Sequence, residues 1–121
     1  MVKFFWDSYA IIELLKGNSN YAKYSNEPFI LSIFNLVEVY WSVLNEKGEK
    51  EAENIYNLLK DAVIEIEDNI LKDAVKFRKE HKKRDLSYAD CIGYVYAKSK
   101  EMKFLTGDKE FSEMQFVEFV K

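Results

Sequence analysis

The sequence has 121 residues, 48% of them hydrophobic and 32% charged, the size and balance of one folded domain, 1–121, which excludes wholesale disorder. One Cys (Cys91) and one His (His81) exclude an internal disulfide and a zinc centre built on nitrogen and sulfur ligands, and they would leave a serine or cysteine hydrolase resting on His81 alone. No apolar run approaches the roughly 20 residues of a membrane span and no signal peptide opens the chain, so the expected compartment is the cytoplasm.

Five short apolar runs read as strands: 2–6, 29–34, 62–66, 103–106 and 116–120. The first two are nearly continuous in apolar residues, as in strands of a parallel sheet covered on both faces. Segments with apolar residues three and four apart lie between them. The first, 8–16, ends at Gly17-Asn18, a helix stop. The next, 36–47, ends at Gly48, and 49–62, 69–83 and 87–101 follow. Strands alternating with helices predict right-handed crossovers and an α/β fold, a three-layer α/β/α sandwich with a mostly parallel sheet of about five strands.

The acids fall at telling places. Asp7 follows the first strand directly, and Asp108 follows the fourth after Gly107. Glu38 is expected in the first turn of the helix after the second strand. Asp90 is expected in the first turn of the helix that begins near Ser87. Functional groups of open α/β sheets gather outside the carboxyl ends of the strands, so chain order directs Asp7, Glu38 and Asp108 to one edge. Asp90 joins them if its helix starts there. Each acid also has a capping role open to it. Asn35–Glu38 and Ser87–Asp90 both fit a capping box, and Asp7 and Asp108 can each cap the segment that follows. Taken together, four acids at one edge would repel by roughly 4 kcal/mol per pair at 4 Å and an effective dielectric near 20. Such a cluster persists when cations neutralise it, and oxygen-only donors select a hard ion, Mg²⁺ or Mn²⁺.

Charge is unevenly spread. Residues 1–75 hold 7 Lys and Arg against 13 Asp and Glu, whereas residues 76–121 hold 11 against 8. Six of the basic residues lie between Lys76 and Arg84, including both arginines, Arg78 and Arg84. The run is either a solvated helix end or a contact for a phosphate backbone, with Lys82, Lys83 and Arg84 nearest the acids. His81 within it is expected to be solvated, and Cys91 to be a small core residue. The helices over 8–16 and 36–47 carry apolar residues beyond one stripe. They are either buried under two layers or covered by a partner.

The order strand-Asp7-Ser8-Tyr9, Ser32-x-x-Asn35-x-x-Glu38, Leu86-x-x-x-Asp90-x-x-Gly93-Tyr94-x-x-Ala97 and Phe104-Leu105-Thr106-Gly107-Asp108-Lys109-x-Phe111 resembles the PIN-domain nucleases. In size and single-domain build it is most similar to the VapC-type toxins of toxin–antitoxin modules. The resemblance spans nearly the whole chain, with Ser32 standing where the family more often has Thr. It implies Mg²⁺- or Mn²⁺-dependent hydrolysis of RNA phosphodiester bonds, with Asp7, Glu38, Asp90 and Asp108 as the catalytic, metal-holding quartet. Ser8 and Thr106 would orient two of these carboxylates, or serve only as turn and cap residues. The same resemblance implies an antitoxin partner on the apolar helices and a homodimer. A PIN-like module that binds RNA or protein without cutting is the alternative. A receiver-type phosphoacceptor domain needs an acidic pair after its first strand, where this chain has Asp7-Ser8. A haloacid-dehalogenase-like phosphatase needs Asp-x-Asp there, and Tyr9 takes the second place.

Overall fold

The computed structural model describes residues 2–121. Three strands, β1 (Phe4–Trp6), β2 (Lys103–Thr106) and β3 (Val117–Phe119), form one parallel sheet in that order. Five helices surround it: α1 (Ser8–Leu15), α2 (Ile33–Lys47), α3 (Glu49–Leu59), α4 (Asp68–Glu80) and α5 (Tyr88–Ser99). Strand side chains alternate between faces, and this alternation builds the layers. Phe5 and Phe104 enter a core with Ala74 of α4 and Ile92, Tyr94 and Ala97 of α5. Trp6 and Leu105, one residue on, enter a second core with Ala10 and Ile11 of α1, Leu36 and Val39 of α2, and Ala52 and Leu59 of α3. Helices cover both faces, so the expected α/β/α sandwich holds and the unbroken apolar strands are explained.

The expected five strands are three. The second and third segments shrink to a single parallel bridge, Leu31 with Val63. They still continue the sheet outward from β1. The Trp6 N–H donates to the Ile30 carbonyl at 2.8 Å, and the Ile64 N–H donates to the Leu31 carbonyl at 2.9 Å. The extended run is short because Ser32 starts a helix inside it. The Ser32 hydroxyl accepts from the Asn35 N–H, and the Asn35 side-chain oxygen accepts from the Ser32 N–H, a reciprocal capping box. The Asn35–Glu38 box expected from the sequence is therefore replaced by one three residues earlier. Glu38 consequently sits in the second turn of α2 rather than the first. The Ser87–Asp90 box forms as expected.

His81 is half-buried rather than freely solvated. It packs on Phe77 one turn back, with ring centroids 4.2 Å apart and its Nδ1 2.9 Å from the Phe77 carbonyl. Cys91 is a buried core residue, as expected, and burial pushes its thiol up to about 11. Among the described residues, no helix is long and apolar enough to cross a membrane. The outer face of α2 stays open: Val37 is 60% and Trp41 68% exposed, and Ile33, Phe34 and Leu44 are also exposed.

Candidate metal centre

β1 delivers Asp7 at its carboxyl end, and the Asp7 N–H is held by the Leu105 carbonyl of β2 at 3.0 Å. Asp7 is buried and caps α1, its Oδ1 accepting from the Ser8 N–H at 2.9 Å. The Thr106 hydroxyl, at the end of β2, donates to the other oxygen, Oδ2, at 2.7 Å. Thr106 also accepts from the Asp108 N–H at 3.0 Å, and Asp108 in turn caps the short turn Lys109–Phe111 through the Glu110 N–H. Thr106 thus bridges two of the acids.

The Ser8 hydroxyl reaches across to α2 and donates to Glu38 Oε1 at 2.5 Å. It accepts at the same time from the Asn35 side-chain amide at 3.0 Å. Asn35 is fully buried, closing both the helix cap and the support of Ser8. Asn35, expected from the sequence only as a cap within its motif, supports Ser8 as well. Its signal was the Ser-x-x-Asn spacing, which marks an N3 residue whose side chain turns back toward the cap. Asp90 lies at N3 of α5, its Oδ2 accepting from the Ser87 N–H at 2.9 Å. Asp7, Asp90 and Asp108 each take part in capping the helical segment that follows.

Electrostatics ties the four acids together. Burial raises the Asp7 carboxyl well above the usual carboxylate range. The charges of Asp90, Glu38 and Asp108 push the same way, while the Thr106 hydroxyl opposes them. Asp90 is pushed up to about 6, first by burial and then by Glu38 and Asp108, against the Ser87 hydrogen bonds. Asp7 thus lies within coulombic reach of Asp90, Glu38 and Asp108, and Asp90 within reach of Glu38 and Asp108. Glu38, Asp90 and Asp108 each keep one carboxyl oxygen with no protein partner among the described residues.

The donor set fits a hard divalent cation: it is all oxygen, negatively charged, and distant in character from His81 and Cys91, which pack elsewhere. Among the described residues no three such groups stand close enough to grip an ion unaided.

Gly107 sets the approach of the loop between Thr106 and Asp108. A Cβ there would run into the Tyr9 ring, the Val120 carbonyl and the Tyr21 hydroxyl, so only glycine lets the loop lie this close. Lys82, Lys83 and Arg84 are exposed in the turn between α4 and α5. Arg84 Nη1 donates to the Glu110 carbonyl at 2.5 Å, which holds that turn against the segment after Asp108. Asp85 is exposed in the same turn and takes no part in the acid cluster.

The protein is a parallel α/β/α sandwich with hydroxyl-braced acids, Asp7 following β1 and Glu38 on α2. The family model for the PIN domain matches residues 4–117, and the chain belongs to the PIN domain family. No curated protein matches it in sequence. Among solved structures, it is similar to Mycobacterium tuberculosis VapC20, described as a sarcin–ricin loop cleaving toxin. The TM-score is 0.79 at 18% identity over 98% of this chain and 100% of that one. It is also similar to a chain of a toxin–antitoxin complex from Klebsiella pneumoniae, with a TM-score of 0.73 at 19% identity, covering 96% of this chain and 95% of that one. A third similar chain belongs to VapBC2 from Rickettsia felis, bound to a DNA fragment from its promoter. There the TM-score is 0.72 at 14% identity over the full length of both chains.

Proposed function

We propose that this PIN-domain protein is a divalent-cation-dependent endoribonuclease and the toxin of a VapBC-type toxin–antitoxin pair. The observation that carries the reading is the burial of Asp7 and Asp90 close to Glu38 and Asp108, where burial first and the neighbouring acids second raise both carboxyls among donors that are all oxygen. Asp7, Glu38, Asp90 and Asp108 would hold Mg²⁺ or Mn²⁺. A bound ion of this kind lowers the pKa of its water and neutralises charge on a phosphoryl group. The chain's own residues prepare the pocket for that. Thr106 and Ser8 fix the planes of Asp7 and Glu38, so little reorganisation remains when substrate arrives. Burial of Asp7 under α1 keeps bulk water from one side of the acid cluster. Lys82, Lys83 and Arg84 would hold the RNA backbone by its phosphates, which positions a strand without reading its sequence.

The partner reading rests on α2. Its exposed Phe34, Val37, Trp41 and Leu44 form an apolar face that continues beside Ser8, Ile12 and Glu38 in one open groove. An antitoxin segment lying there would cover apolar surface and close the pocket in one contact, and a second copy of the chain would extend the assembly to a homodimer. Two of the similar structures, those from Klebsiella pneumoniae and Rickettsia felis, are themselves toxin–antitoxin assemblies.

The deciding experiment is cleavage of structured and single-stranded RNA by the purified protein, with Mg²⁺, with Mn²⁺ and with a chelator. Cleavage that a chelator abolishes and Asp90→Asn removes is expected. RNA binding without any cleavage, under every ion, would return the chain to the non-catalytic PIN-like alternative.

A further inference from the structure

A cleft of about 290 Å³ opens where the turn between α4 and α5 folds back. Arg78, Lys79, Lys82, Arg84, Leu86 and Tyr88 line it. Its floor is built rather than incidental. Arg78 Nε donates to the Leu86 carbonyl at 2.9 Å, and the Arg78 guanidinium carbon lies 4.3 Å from the centroid of the Tyr88 ring. Tyr88 nevertheless stays 54% exposed. None of the four cations is paired with a carboxylate among the described residues, where the one ion pair is Lys100 with Glu67. Two covalent and hydrogen-bonded links join the cleft to the acids. Tyr88 opens α5 two residues before Asp90. Arg84 and Asp108 both hold the backbone of Glu110, one at its carbonyl and the other at its N–H.

An exposed aromatic ring braced by a guanidinium, ringed by unpaired cations, is the chemistry that takes a nucleotide: the base stacks and the phosphate meets the cations. An acidic polypeptide would use the cations and leave the ring idle. We infer that this cleft seats one unpaired nucleotide of a single-stranded RNA next to the scissile phosphate, its base on Tyr88 and its phosphate on Arg84 and Lys82. The inference rests on the nuclease reading above and names how that site receives its substrate. Tyr88 and Arg78 are positioning residues in it, without contact to the reacting phosphate.

The test is fluorescence anisotropy of a labelled single-stranded RNA hexamer with the full-length protein in a chelator, which keeps cleavage silent. Tyr88→Ala should weaken binding about tenfold, the scale of one lost base–aromatic stack, and Tyr88→Phe should restore it. A hexamer carrying one abasic nucleotide at the seated position should lose the same factor against the unaltered protein and nothing further against Tyr88→Ala. Arg84→Gln should weaken intact and abasic hexamers alike and flatten the salt slope by about 0.7. If Tyr88→Ala binds as tightly as the unaltered protein while RNA is bound and, with Mg²⁺, cleaved, the cleft assignment fails and the nuclease reading stands. If Tyr88→Ala weakens intact and abasic hexamers equally at every position, the ring is structural and the assignment also fails. A protein that neither binds nor cleaves RNA overturns both.

Discussion

Asp90 carries two obligations that pull against each other. Its carboxylate closes the cap of α5, yet its neighbours and its burial disfavour the charge, moving it from an ordinary 3.8 to about 6. A carboxyl raised by folding binds its proton more tightly in the folded state. Its contribution to stability is therefore complete below pH 3.8 and is lost as pH rises through about 6. Asp90→Asn keeps the capping oxygen and removes the charge. With a chelator at pH 7.5 the variant should be more stable than the parent by about 1–3 kcal/mol, and this gain should fade as pH falls through 6 and vanish near 4. Urea unfolding at the two pH values measures it, and equal stabilities at pH 7.5 would mean that neither burial nor the neighbouring acids disfavour the Asp90 charge. Thr106 is the complementary case. It is buried, and it supplies the hydroxyl that opposes the upward shift of Asp7. Thr106→Val should cost about 1–3 kcal/mol, because Asp7 loses a donor and the Asp108 N–H loses an acceptor. It should also raise Asp7 further, so that Mn²⁺ binding, followed by calorimetry, moves to higher pH. A binding profile that does not move would leave Thr106 with a turn role only.

At the scale of elements, the site depends on how closely α5 lies on the sheet. Gly93 faces the strands, and a Cβ there would stand 2.6 Å from Phe5 Cε1 and 2.9 Å from Phe104 Cε1. Gly93→Ala forces the helix or the rings to move, at a cost of about 1–3 kcal/mol, and it carries Asp90 away from Asp7. Activity should fall more than stability alone explains, with the loss persisting well below the melting temperature. A fully active Gly93→Ala would show that the rings yield instead. The sequence made α5 readable because Ser87 and Asp90 announce its start and its apolar spacing is regular. It misled at α2 for a physical reason. Ile33 and Phe34 extend the apolar run of the preceding strand, and apolar residues read as buried; both are exposed on the first turn of a helix. The Ser32–Asn35 cap was hidden inside that run, and with it the buried Asn35 that supports Ser8. The Arg78–Tyr88 pair was out of reach of any periodicity, since it forms only when the turn after α4 brings two helices together.

For the whole molecule, two cores meet across strands of three or four residues. Asp7 and Asp108 follow the carboxyl ends of β1 and β2, and a parallel α/β sheet sends successive strand ends to one edge, which is the part of the arrangement that chain order makes legible. The exposed face of α2 belongs to this scale as well, since nothing among the described residues covers it. Trp41→Glu should abolish capture of an apolar partner helix, and any self-association through this face, while leaving RNA cleavage by the monomer intact. Sedimentation velocity across a concentration series checks it, and an oligomer that survives the change must be held elsewhere.

The two tryptophans divide along the same line. Trp6 is fully buried, and its indole Nε1 has no hydrogen-bond partner among the described residues, whereas Trp41 is 68% exposed on α2. An indole in an apolar core without a polar contact emits toward the blue, and a solvated one emits toward the red. The protein therefore carries two separate optical reporters. With Trp41→Phe, the remaining emission follows unfolding of the core around β1; with Trp6→Phe, it follows whatever settles on α2. Iodide should quench the second protein and spare the first, and a docked helix should shield the second from iodide while its spectrum shifts to the blue.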